Sequence, residues 1–373
     1  MNNDYLGANI PKLGFGLMRL PMNDGEVDLE LLKSMIDLYM ENGFTYFDTA
    51  YPYVNGKSEK IVKDLITKRF PRDTYQLATK MPVWLCKKTE DFQPLFDEQL
   101  ERTGAQYFDY YLLHALDRER MVIMDEIGGW DFLKQIKDQG LVKHIGFSFH
   151  DTADILDQIL TSHPETEFVQ LQINYVDWED DKVQSRLCYE VAMKHNVPVI
   201  IMEPVKGGNL AGMTPSIQEM FKEAQPDLSI ASWAFRYAGS KDKLVTVLSG
   251  MSNMEQLEDN IKCMSDFKPL STSEEKVIAD VIDELSKVET IPCTDCKYCV
   301  EDCPVNINIP GILATFNTYK TYGDLENIKS RYSWLIKNNG KASECIACGL
   351  CEGHCPQHIQ IIDSLAKFAE IVE

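Results

Sequence analysis

The residue types with the clearest chemistry are eight cysteines in two short runs. Residues 293–304 read CTDCKYCVEDCP, and residues 345–356 read CIACGLCEGHCP. Both fit Cys-x2-Cys-x2-Cys-x3-Cys-Pro, in which three thiolates bind one iron–sulfur cluster and the fourth cysteine binds the other. Zinc is the alternative, but zinc sites are usually built from separate Cys-x2-Cys pairs. The spacing predicts two [4Fe–4S] clusters, one bound by Cys293, Cys296, Cys299 and Cys355, the other by Cys345, Cys348, Cys351 and Cys303.

The three remaining cysteines are scattered through the chain. Cys188 and Cys263 lie in or near segments with a helical pattern and are expected to be small core residues. Cys86 follows a predicted strand, where a functional role stays open. Disulfide frameworks are typical of short secreted chains, whereas this pattern in a chain of 373 residues indicates metal binding in a reducing compartment.

A second set of reactive side chains lies at or after the ends of three predicted strands. Asp48 ends one strand, Tyr53 follows five residues later, Lys80 ends the next and His114 the one after. A carbonyl reduced by hydride needs a proton, and tyrosine, with a pKa of ~10, is a poor acid at neutral pH. A lysine cation lowers that pKa, a carboxylate holds the lysine, and a histidine donates a hydrogen bond to the carbonyl oxygen. Tyr51 is the competing candidate for the acid.

These side chains are positioned by short apolar runs that alternate with amphipathic segments. The predicted strands cover residues 12–18, 45–50, 75–81, 109–114, 144–149, 168–174, 197–204 and 244–250. Eight such strands alternating with helices predict a (β/α)8 barrel, with a doubly wound open sheet as the alternative. Polar groups at the carboxyl ends favour the barrel, where those ends meet on one face. They are Asp48, Lys80, His114, Ser148, Gln172, Glu203 and Ser249.

The charge and the apolar pattern exclude several classes of partner. The formal net charge of −21 argues against nucleic acid and against an anionic membrane surface, since both need basic patches. No apolar run approaches the ~20 residues that span a bilayer, and the first residues lack the pattern of a signal peptide. We expect a soluble cytoplasmic protein that acts on a small molecule.

The C-terminal region differs in composition from the barrel region. Residues 273–289 read as one amphipathic helix with Ser273 as its N-cap, and the segments between the cysteine runs also look helical, with Pro310 in a first turn. Residues 290–365 therefore resemble the α-helical ferredoxin family. The predicted organisation is a barrel over residues 1–270, a connecting helix over 271–289 and a small helical dicluster domain over 290–373.

Residues 10–265 resemble the aldo-keto reductase superfamily, whose members carry an Asp–Tyr–Lys–His tetrad on consecutive β/α units of a (β/α)8 barrel. The resemblance implies that Tyr53 is the general acid, that Lys80 modulates its pKa, that Asp48 is the partner of the lysine and that His114 orients the carbonyl. It also implies that NAD(P)H binds in extended form without a Rossmann fold.

The same resemblance implies a set of cofactor contacts. They come from Gly16, Met18, Arg19, Asp48, Ser148, Gln172, Met202, Pro204, Val205, Lys206, Gly208, Ser249, Gly250, Met251, Ser252, Gln256 and Asn260. Ser148 and Gln172 would hold the nicotinamide carboxamide, although Phe149 stands where an asparagine is common. Met202 occupies the place of a stacking aromatic residue. Ser252 stands where NADPH-selective members often carry arginine or lysine, which leaves the choice between NADH and NADPH open.

Three functions fit these observations. The first is an NAD(P)H-linked carbonyl reductase or alcohol dehydrogenase that carries two clusters. The second is an electron-transfer protein whose clusters exchange electrons with the barrel site or an external carrier. The third is a redox-sensing regulatory subunit. The complete tetrad favours the first two.

Overall fold

The computed structural model describes residue 6, residues 10–301 and residues 303–373, so most of the segment tested for a signal peptide lies outside the described residues. No helix in the described part is long and apolar enough to cross a membrane. The strands are β1 (Leu13–Gly16), β2 (Met22–Asn23), β3 (Glu26–Val27), β4 (Tyr46–Asp48), β5 (Gln76–Met81), β6 (Phe108–Leu116), β7 (Val142–Phe149), β8 (Phe168–Gln172), β9 (Val199–Met202) and β10 (Leu244–Ser249).

Eight of these strands close into a parallel barrel in the order β1-β10-β9-β8-β7-β6-β5-β4. The predicted (β/α)8 barrel is therefore confirmed, and the open doubly wound sheet is excluded. The strands β2 and β3 form a separate antiparallel hairpin, which was not predicted. Its strands have only two residues each, too few to show an apolar alternation in the sequence.

Helices follow the strands. They are α1 (Leu29–Glu41), α2 (Tyr53–Gly56), α3 (Ser58–Val62), α4 (Phe92–Thr103), α5 (Arg118–Glu126), α6 (Gly129–Asp138), α7 (Ala153–Ser162), α8 (Ser185–Lys194), α9 (Asn209–Gly212), α10 (Pro215–Ala224), α11 (Ile230–Gly239), α12 (Met254–Ser265), α13 (Thr272–Ser286), α14 (Tyr298–Glu301), α15 (Ile309–Tyr322), α16 (Leu325–Leu335), α17 (Leu350–Gly353) and α18 (Ile361–Val372).

Local sequence explains where α1 begins and ends. Asp28 precedes the helix and its side chain accepts a hydrogen bond from the backbone N–H of Leu31, which satisfies one free donor of the first turn. Gly43 follows the helix at φ +81°, a left-handed conformation that glycine adopts without a Cβ clash. The buried face of the helix is formed by Leu32, Met35, Ile36 and Tyr39.

The barrel interior is filled by large side chains, so it is a packed core and not a pore. Tyr46 and Tyr110 are both fully buried, with their ring centroids 5.2 Å apart, and Phe168 packs edge-on against Tyr110. Gly146 on β7 leaves room for that packing, because a Cβ there would meet the carbonyl oxygen of Phe168 at 2.2 Å. Because these aromatic rings occupy the interior of the barrel, a ligand can bind only at the open ends of the strands.

The chain divides into two compact units. The first comprises residues 1–204 and 232–270, and the second comprises residues 205–231 and 271–373. Within the second unit, the segment after β9 packs on the C-terminal helices: the side chain of Asn327 donates to that of Asn209 at 2.7 Å. The sequence did not predict that residues 205–231 belong to the second unit, because they continue the alternation of strands and helices of the barrel.

Helix α13 begins the C-terminal part of the second unit. The predicted N-cap of this helix, Ser273, is wrong. Ser271, not Ser273, caps the helix: its hydroxyl accepts from the N–H of Glu274, whose carboxylate accepts from the N–H of Ser271. This reciprocal pair is a capping box, which Ser273 cannot form with the same glutamate. The predicted helices α15 and α16 are present, and Pro310 lies in the first turn of α15.

Candidate active site

The four tetrad residues come from three neighbouring strands of the barrel. Asp48 is the last residue of β4, Lys80 lies near the end of β5, and His114 lies in β6. Strand β5 pairs in parallel with β4 on one side and with β6 on the other, so the carboxyl ends of the three strands lie side by side. Tyr53 opens the short turn α2 after β4.

The ammonium group of Lys80 is the centre of the arrangement. It donates to Oδ1 of Asp48 at 2.5 Å, to the carbonyl oxygen of Thr49 at 2.9 Å and to the hydroxyl of Tyr53 at 3.3 Å. The lysine is 1% exposed and the aspartate 2% exposed. A buried ion pair of this kind holds a charged ammonium beside the phenol oxygen.

Burial and charge act against each other at these groups. Burial alone disfavours the lysine cation, but Asp48 and Tyr53 together raise the pKa of Lys80 above its ordinary value. Burial raises the pKa of Tyr53, and Lys80 counteracts only part of that effect. The expected lowering by Lys80 is therefore present but outweighed, and the pKa of Tyr53 lies above its ordinary value. Tyr53 carries its proton at neutral pH.

Tyr51, the competing tyrosine, is turned toward other partners. Its hydroxyl donates to the carboxylate of Glu98 at 3.2 Å, and its ring lies against the guanidinium of Arg102, 4.1 Å from the ring centroid. Tyr53 is the one of the two tyrosines with a hydrogen bond to Lys80.

The turn that carries Tyr53 has an unusual backbone. Val54, Asn55 and Gly56 all lie in the left-handed region, with φ of +54°, +53° and +77°. A β-branched residue is strained there, so the surrounding contacts must impose the conformation. Arg102 supplies two of these contacts: its Nη2 donates to the carbonyl oxygens of Tyr51 at 3.0 Å and Gly56 at 2.7 Å.

Arg102 is held in turn by Glu59, and both residues were missed by the sequence reasoning. Glu59 is fully buried and accepts hydrogen bonds from Thr79 and Gln99, both at 2.7 Å. Gln99 also donates to the backbone carbonyl of Lys80 at 3.0 Å. One network thus joins the Tyr53 turn to the strand of Lys80. A glutamate and an arginine 43 positions apart give no local signal in the sequence.

His114 is positioned by an irregular stretch of β6. The next residue, Ala115, has a φ of +55°, and its N–H donates to the hydroxyl oxygen of Ser148 at 2.7 Å. The His114 ring meets that of Tyr53 edge-on at 5.9 Å and lies 5.1 Å from the ring of Trp84. Burial, with Lys80 adding to it, lowers the pKa of His114 to about 2, so the imidazole is neutral.

Trp84 was also not predicted as a residue of the site. It lies four residues after Lys80, and 42% of its surface is exposed although it contacts His114. A large aromatic residue in a loop after a barrel strand is a signal that was available, because such loops form the binding face.

The two residues expected to hold the carboxamide lie on adjacent strands, β7 and β8. Ser148 accepts from Ala115, which leaves its hydroxyl hydrogen for a ligand. Gln172 donates from Nε2 to Asp177 at 2.8 Å, which leaves its carbonyl oxygen as an acceptor. One donor and one acceptor are complementary to an amide group. Phe149, which stands where an asparagine is common in the family, is buried.

The residues expected at the adenosine end shape the segment between β10 and α12. Asn260 donates to the hydroxyl of Ser249 at 2.9 Å, and Gln256 accepts from the N–H of Ser252 at 2.8 Å. Asn253 caps α12 by accepting from the N–H of Gln256. The segment therefore leads into a capped helix N-terminus, which favours phosphate oxygens.

The other residues expected to contact the cofactor differ in their exposure and in the unit to which they belong. Gly16 pairs with Asp48, and a Cβ on Gly250 would lie 3.2 Å from Cβ of Arg19. Met18 and Arg19 are exposed, Met202 and Gly16 are partly buried, and Met251 and Pro204 are buried. Val205, Lys206 and Gly208 belong to the second unit.

The eight cysteines of the two runs line two cavities in the second unit. One is lined by Cys293, Cys296, Cys299 and Cys355. The other is lined by Cys345, Cys348, Cys351 and Cys303. Among the described residues, no three His, Cys, Asp or Glu side chains are close enough together to bind a single metal ion. The lining residues show that each run contributes three thiols to one cavity and its fourth thiol to the other.

The three scattered cysteines lie outside these cavities. Burial raises the pKa of Cys86, of Cys188 and of Cys263 to about 12 in each case. Thiols of this kind remain protonated at neutral pH and are poor nucleophiles.

Comparison with known proteins identifies the families that the two parts of the chain match. Residues 12–283 match the Aldo/keto reductase family, and residues 292–360 match the 4Fe-4S dicluster domain. L-galactose dehydrogenase of Arabidopsis thaliana is 27% identical over 313 residues, which cover 76% of this chain and 91% of that protein. An uncharacterized oxidoreductase of Bacillus subtilis is 24% identical over 284 residues, or 68% of this chain and 87% of that protein.

Two solved structures share the fold. The aldo-keto reductase of Klebsiella pneumoniae in complex with NADPH has a TM-score of 0.60 and 19% identity, covering 74% of this chain and 92% of that chain. A Bacillus halodurans aldo-keto reductase in its holo form has a TM-score of 0.61 and 22% identity, covering 74% and 93%. The family match spans most of the chain, so the protein belongs to the aldo/keto reductase family of NAD(P)-dependent oxidoreductases and carries a 4Fe-4S dicluster domain after the barrel.

Proposed function

We propose that the barrel catalyses NAD(P)H-dependent reduction of an aldehyde or ketone, or the reverse oxidation of an alcohol, with Tyr53 as the proton donor. The observation that carries the proposal is the contact of Lys80 with both Asp48 and Tyr53 at the strand ends. The nicotinamide, when bound, supplies the hydride. The task left to the protein is to deliver a proton to the carbonyl oxygen and to hold that oxygen in place.

Each tetrad residue has a distinct part in that task. Tyr53 enters the reaction protonated because burial keeps its pKa high, and it gives up its proton as negative charge develops on the substrate oxygen. Lys80 stabilises the phenolate that remains, and Asp48 keeps the lysine charged and in place. His114 is a neutral imidazole with one N–H, which donates a hydrogen bond to the substrate oxygen.

The residues around the tetrad fit a nicotinamide cofactor. Ser148 offers a donor and Gln172 an acceptor to the carboxamide, and residues 249–253 lead into the N-terminus of α12, a position that favours phosphate oxygens. The relatives support the same chemistry, since one is an L-galactose dehydrogenase and another is solved with NADPH. The proposed substrate is therefore a small carbonyl compound or the corresponding alcohol.

The dicluster domain is proposed to hold two [4Fe–4S] clusters through the crossed sets of cysteines. Four thiols that surround one cavity fit a cubane of iron and sulfide. The proposed organisation remains a barrel over residues 1–270, a connecting helix over 271–289 and the cluster domain over 290–373.

Steady-state turnover tests the barrel proposal. Protein purified without oxygen is assayed with NADPH and NADH against a panel of aldehydes, ketones and alcohols, beside Tyr53→Phe and the matched control Tyr51→Phe. We expect Tyr53→Phe to lose about 10²–10⁴-fold in kcat, the usual contribution of acid–base catalysis, with the cofactor Kd nearly unchanged. If Tyr53→Phe retains turnover and Tyr51→Phe loses it, Tyr51 and not Tyr53 is the proton donor.

A second candidate function is electron transfer, in which the clusters exchange electrons with the barrel site or with an external carrier. The observation that favours it is the exposure of one cysteine in each set, Cys296 and Cys348, which puts each proposed cluster near the surface. Nicotinamide transfers two electrons at once and a cluster accepts one, and a flavin usually links the two. Anaerobic mixing of flavin-free protein with NADPH separates the candidates: bleaching of the cluster absorbance as fast as turnover would favour electron transfer.

A further inference from the structure

An arginine is fixed beside the histidine of the tetrad. Arg120 lies in the first turn of α5, and its Nη1 donates to the carbonyl oxygen of Ala115 at 2.6 Å. Ala115 is the residue after His114 in β6, so this bond holds the guanidinium next to the backbone that carries the imidazole. In the proposed function, that imidazole binds the substrate oxygen. A charge at this position can therefore meet a second group of the same substrate.

The protein uses only part of the Arg120 guanidinium. Asp117, the N-cap of α5, accepts from the backbone N–H of Arg120 at 2.8 Å, and its other carboxylate oxygen is 3.4 Å from Nη1. The Ala115 carbonyl also meets Nη1, and no described residue accepts a hydrogen bond from Nε or Nη2. The Arg120 side chain is 37% exposed, so a ligand can reach it from solvent.

The charges that act on His114 are positive, although the whole chain has a formal net charge of −21. Burial is the largest cause of the lowered pKa of His114, and Lys80, the His150 ring and Arg120 lower that pKa further. Lys80 has a fully buried partner in Asp48, whereas the carboxylate beside Arg120 is partly exposed and 3.4 Å away. The charge of Arg120 is therefore the less neutralised of the two cations near the imidazole.

His150 lies at the end of the neighbouring strand, β7. Its backbone N–H donates to the carbonyl oxygen of Leu116 at 3.1 Å, which joins the ends of β7 and β6. The ring is exposed, yet burial lowers its pKa, as expected in a concave opening. Among the charged groups that act on it, Glu203 and Asp117 raise that pKa and Arg120 lowers it. One guanidinium can neutralise a carboxylate, whereas a phosphate dianion would keep a second charge near Glu203.

From this arrangement we infer that the substrate is an oxo acid, or the corresponding hydroxy acid, whose carboxylate is bound by Arg120. A carboxylate accepts two parallel hydrogen bonds from an arginine, and Nε and Nη2 are the adjacent donors that the protein leaves free. The carbonyl group of the same molecule then meets Tyr53 and His114. Addition of hydride to the carbonyl carbon and of the Tyr53 proton to its oxygen gives the hydroxy acid and NAD(P)⁺, and the carboxylate is unchanged.

The inference rests on the proposed carbonyl reduction, and matched pairs of substrates separate the two claims. Pyruvate, acetoacetate and succinate semialdehyde have the carbonyl and the carboxylate adjacent, one carbon apart and two carbons apart. Each is assayed with NADPH and NADH beside its uncharged amide. Glyceraldehyde 3-phosphate beside glyceraldehyde tests a phosphate in place of the carboxylate.

We expect the wild type to prefer at least one of these acids over its amide by about 10- to 100-fold in kcat/KM, the usual contribution of a hydrogen bond to a charged group. Arg120→Gln should remove the preference, mainly through the KM for the acid. Arg120→Lys, which keeps the charge without the fork, should keep part of it. Arg118→Gln is the matched control: Arg118 is an exposed arginine of the same helix that pairs with Asp154, so the preference should remain.

Binding without turnover gives a second measurement. Oxamate, malonamate and succinamate are unreactive amides that keep the three spacings, and isothermal titration calorimetry in the presence of NADP⁺ measures their Kd. The Kd of the tightest one should rise about 10- to 100-fold in Arg120→Gln and stay unchanged in Arg118→Gln. Urea unfolding shows whether each variant is folded, and Arg120→Lys replaces Arg120→Gln in both measurements if the latter does not fold.

Three results would overturn the inference while leaving the proposed function standing. They are equal kcat/KM for every acid and its amide, a preference for the acid that survives in folded Arg120→Gln, and a preference for the phosphate alone. An equal loss for acid and amide in Arg120→Gln would assign Arg120 to the support of His114 and would also overturn it. Absence of reduction of every aldehyde and ketone by the wild type would instead refute the proposed function.

Discussion

Arg102 and Glu59 form a buried ion pair, with 2.9 Å between Nε of the arginine and Oε2 of the glutamate. The same arginine donates to the carbonyl oxygens of Tyr51 and Gly56, which lie on either side of Tyr53. The Tyr53 hydroxyl therefore has its position fixed by a network that does not touch the reacting atoms. We regard Arg102 as a positioning residue.

Replacing Arg102 by leucine removes both carbonyl contacts and leaves Glu59 as an unpaired buried charge. Loss of one partner of a buried pair typically costs about 3–5 kcal/mol, so the urea midpoint should fall. In Arg102→Lys, which keeps the charge but not the fork that spans two carbonyls, we expect kcat to fall with the KM for NADPH unchanged. Urea unfolding followed by circular dichroism and steady-state kinetics measure the two effects.

Arg186→Leu is the matched control for Arg102→Leu. Arg186 pairs with Glu179 and Glu190 at the surface, where such pairs contribute little to stability, so the variant should unfold as the wild type does. Full kcat in a folded Arg102→Lys protein would contradict the positioning role.

The pH dependence of carbonyl reduction follows from two pKa shifts. His114, with a pKa of about 2, stays neutral through the physiological range. Tyr53, whose pKa burial raises above its ordinary value, stays protonated and able to donate until alkaline pH. The kcat/KM for reduction should therefore be flat between about pH 5 and 9 and fall only above that range, because the acid form is lost there. The rate profile is measured at saturating NADPH.

A step in that profile near pH 6.5, the ordinary range of histidine, would contradict the prediction if it disappears in His114→Gln. A fall centred well below pH 10 that disappears in Tyr53→Phe would show that Lys80 outweighs burial at the tyrosine.

The sequence predicted the barrel, and it predicted that Asp48, Lys80 and His114 lie close together, because both depend on local signals. Asp48, Lys80 and His114 lie at or near the ends of apolar runs, and parallel strands that close a barrel bring such ends together. The strand of His114 continues to Leu116, with a register shift after Leu113. An irregularity of one or two residues leaves no trace in an apolar pattern.

The supporting network could not be predicted in the same way. Glu59, Gln99 and Arg102 read as ordinary polar residues of amphipathic helices, and only the packed barrel shows that they point toward the Tyr53 turn.

The crossed cavities make a specific prediction about the fourth cysteine of each run. Cys355 lines the cavity of Cys293 although it follows Cys351 by only four residues. Cys355→Ser should therefore alter the EPR signal of the cluster that Cys296→Ser also alters. Cys303→Ser should alter the other signal, because Cys303 lines the cavity of Cys345. If Cys355→Ser instead disturbs the same signal as Cys348→Ser, each run binds its own cluster and the crossed assignment fails.

The choice between NADPH and NADH is predicted to depend on Ser252. Its side chain is exposed at the entry to α12, and its N–H is held by the side chain of Gln256. A serine has no charge to offer a 2′-phosphate, so we expect the wild type to discriminate weakly between the two cofactors. Ser252→Arg should raise the preference for NADPH about tenfold or more, since hydrogen bonds to charged groups contribute about 1.5–3 kcal/mol. The ratio of kcat/KM for the two cofactors measures the change, with Ser252→Gln as the uncharged control. An unchanged ratio in Ser252→Arg would place the 2′-phosphate elsewhere, and Arg19 would be the next residue to replace.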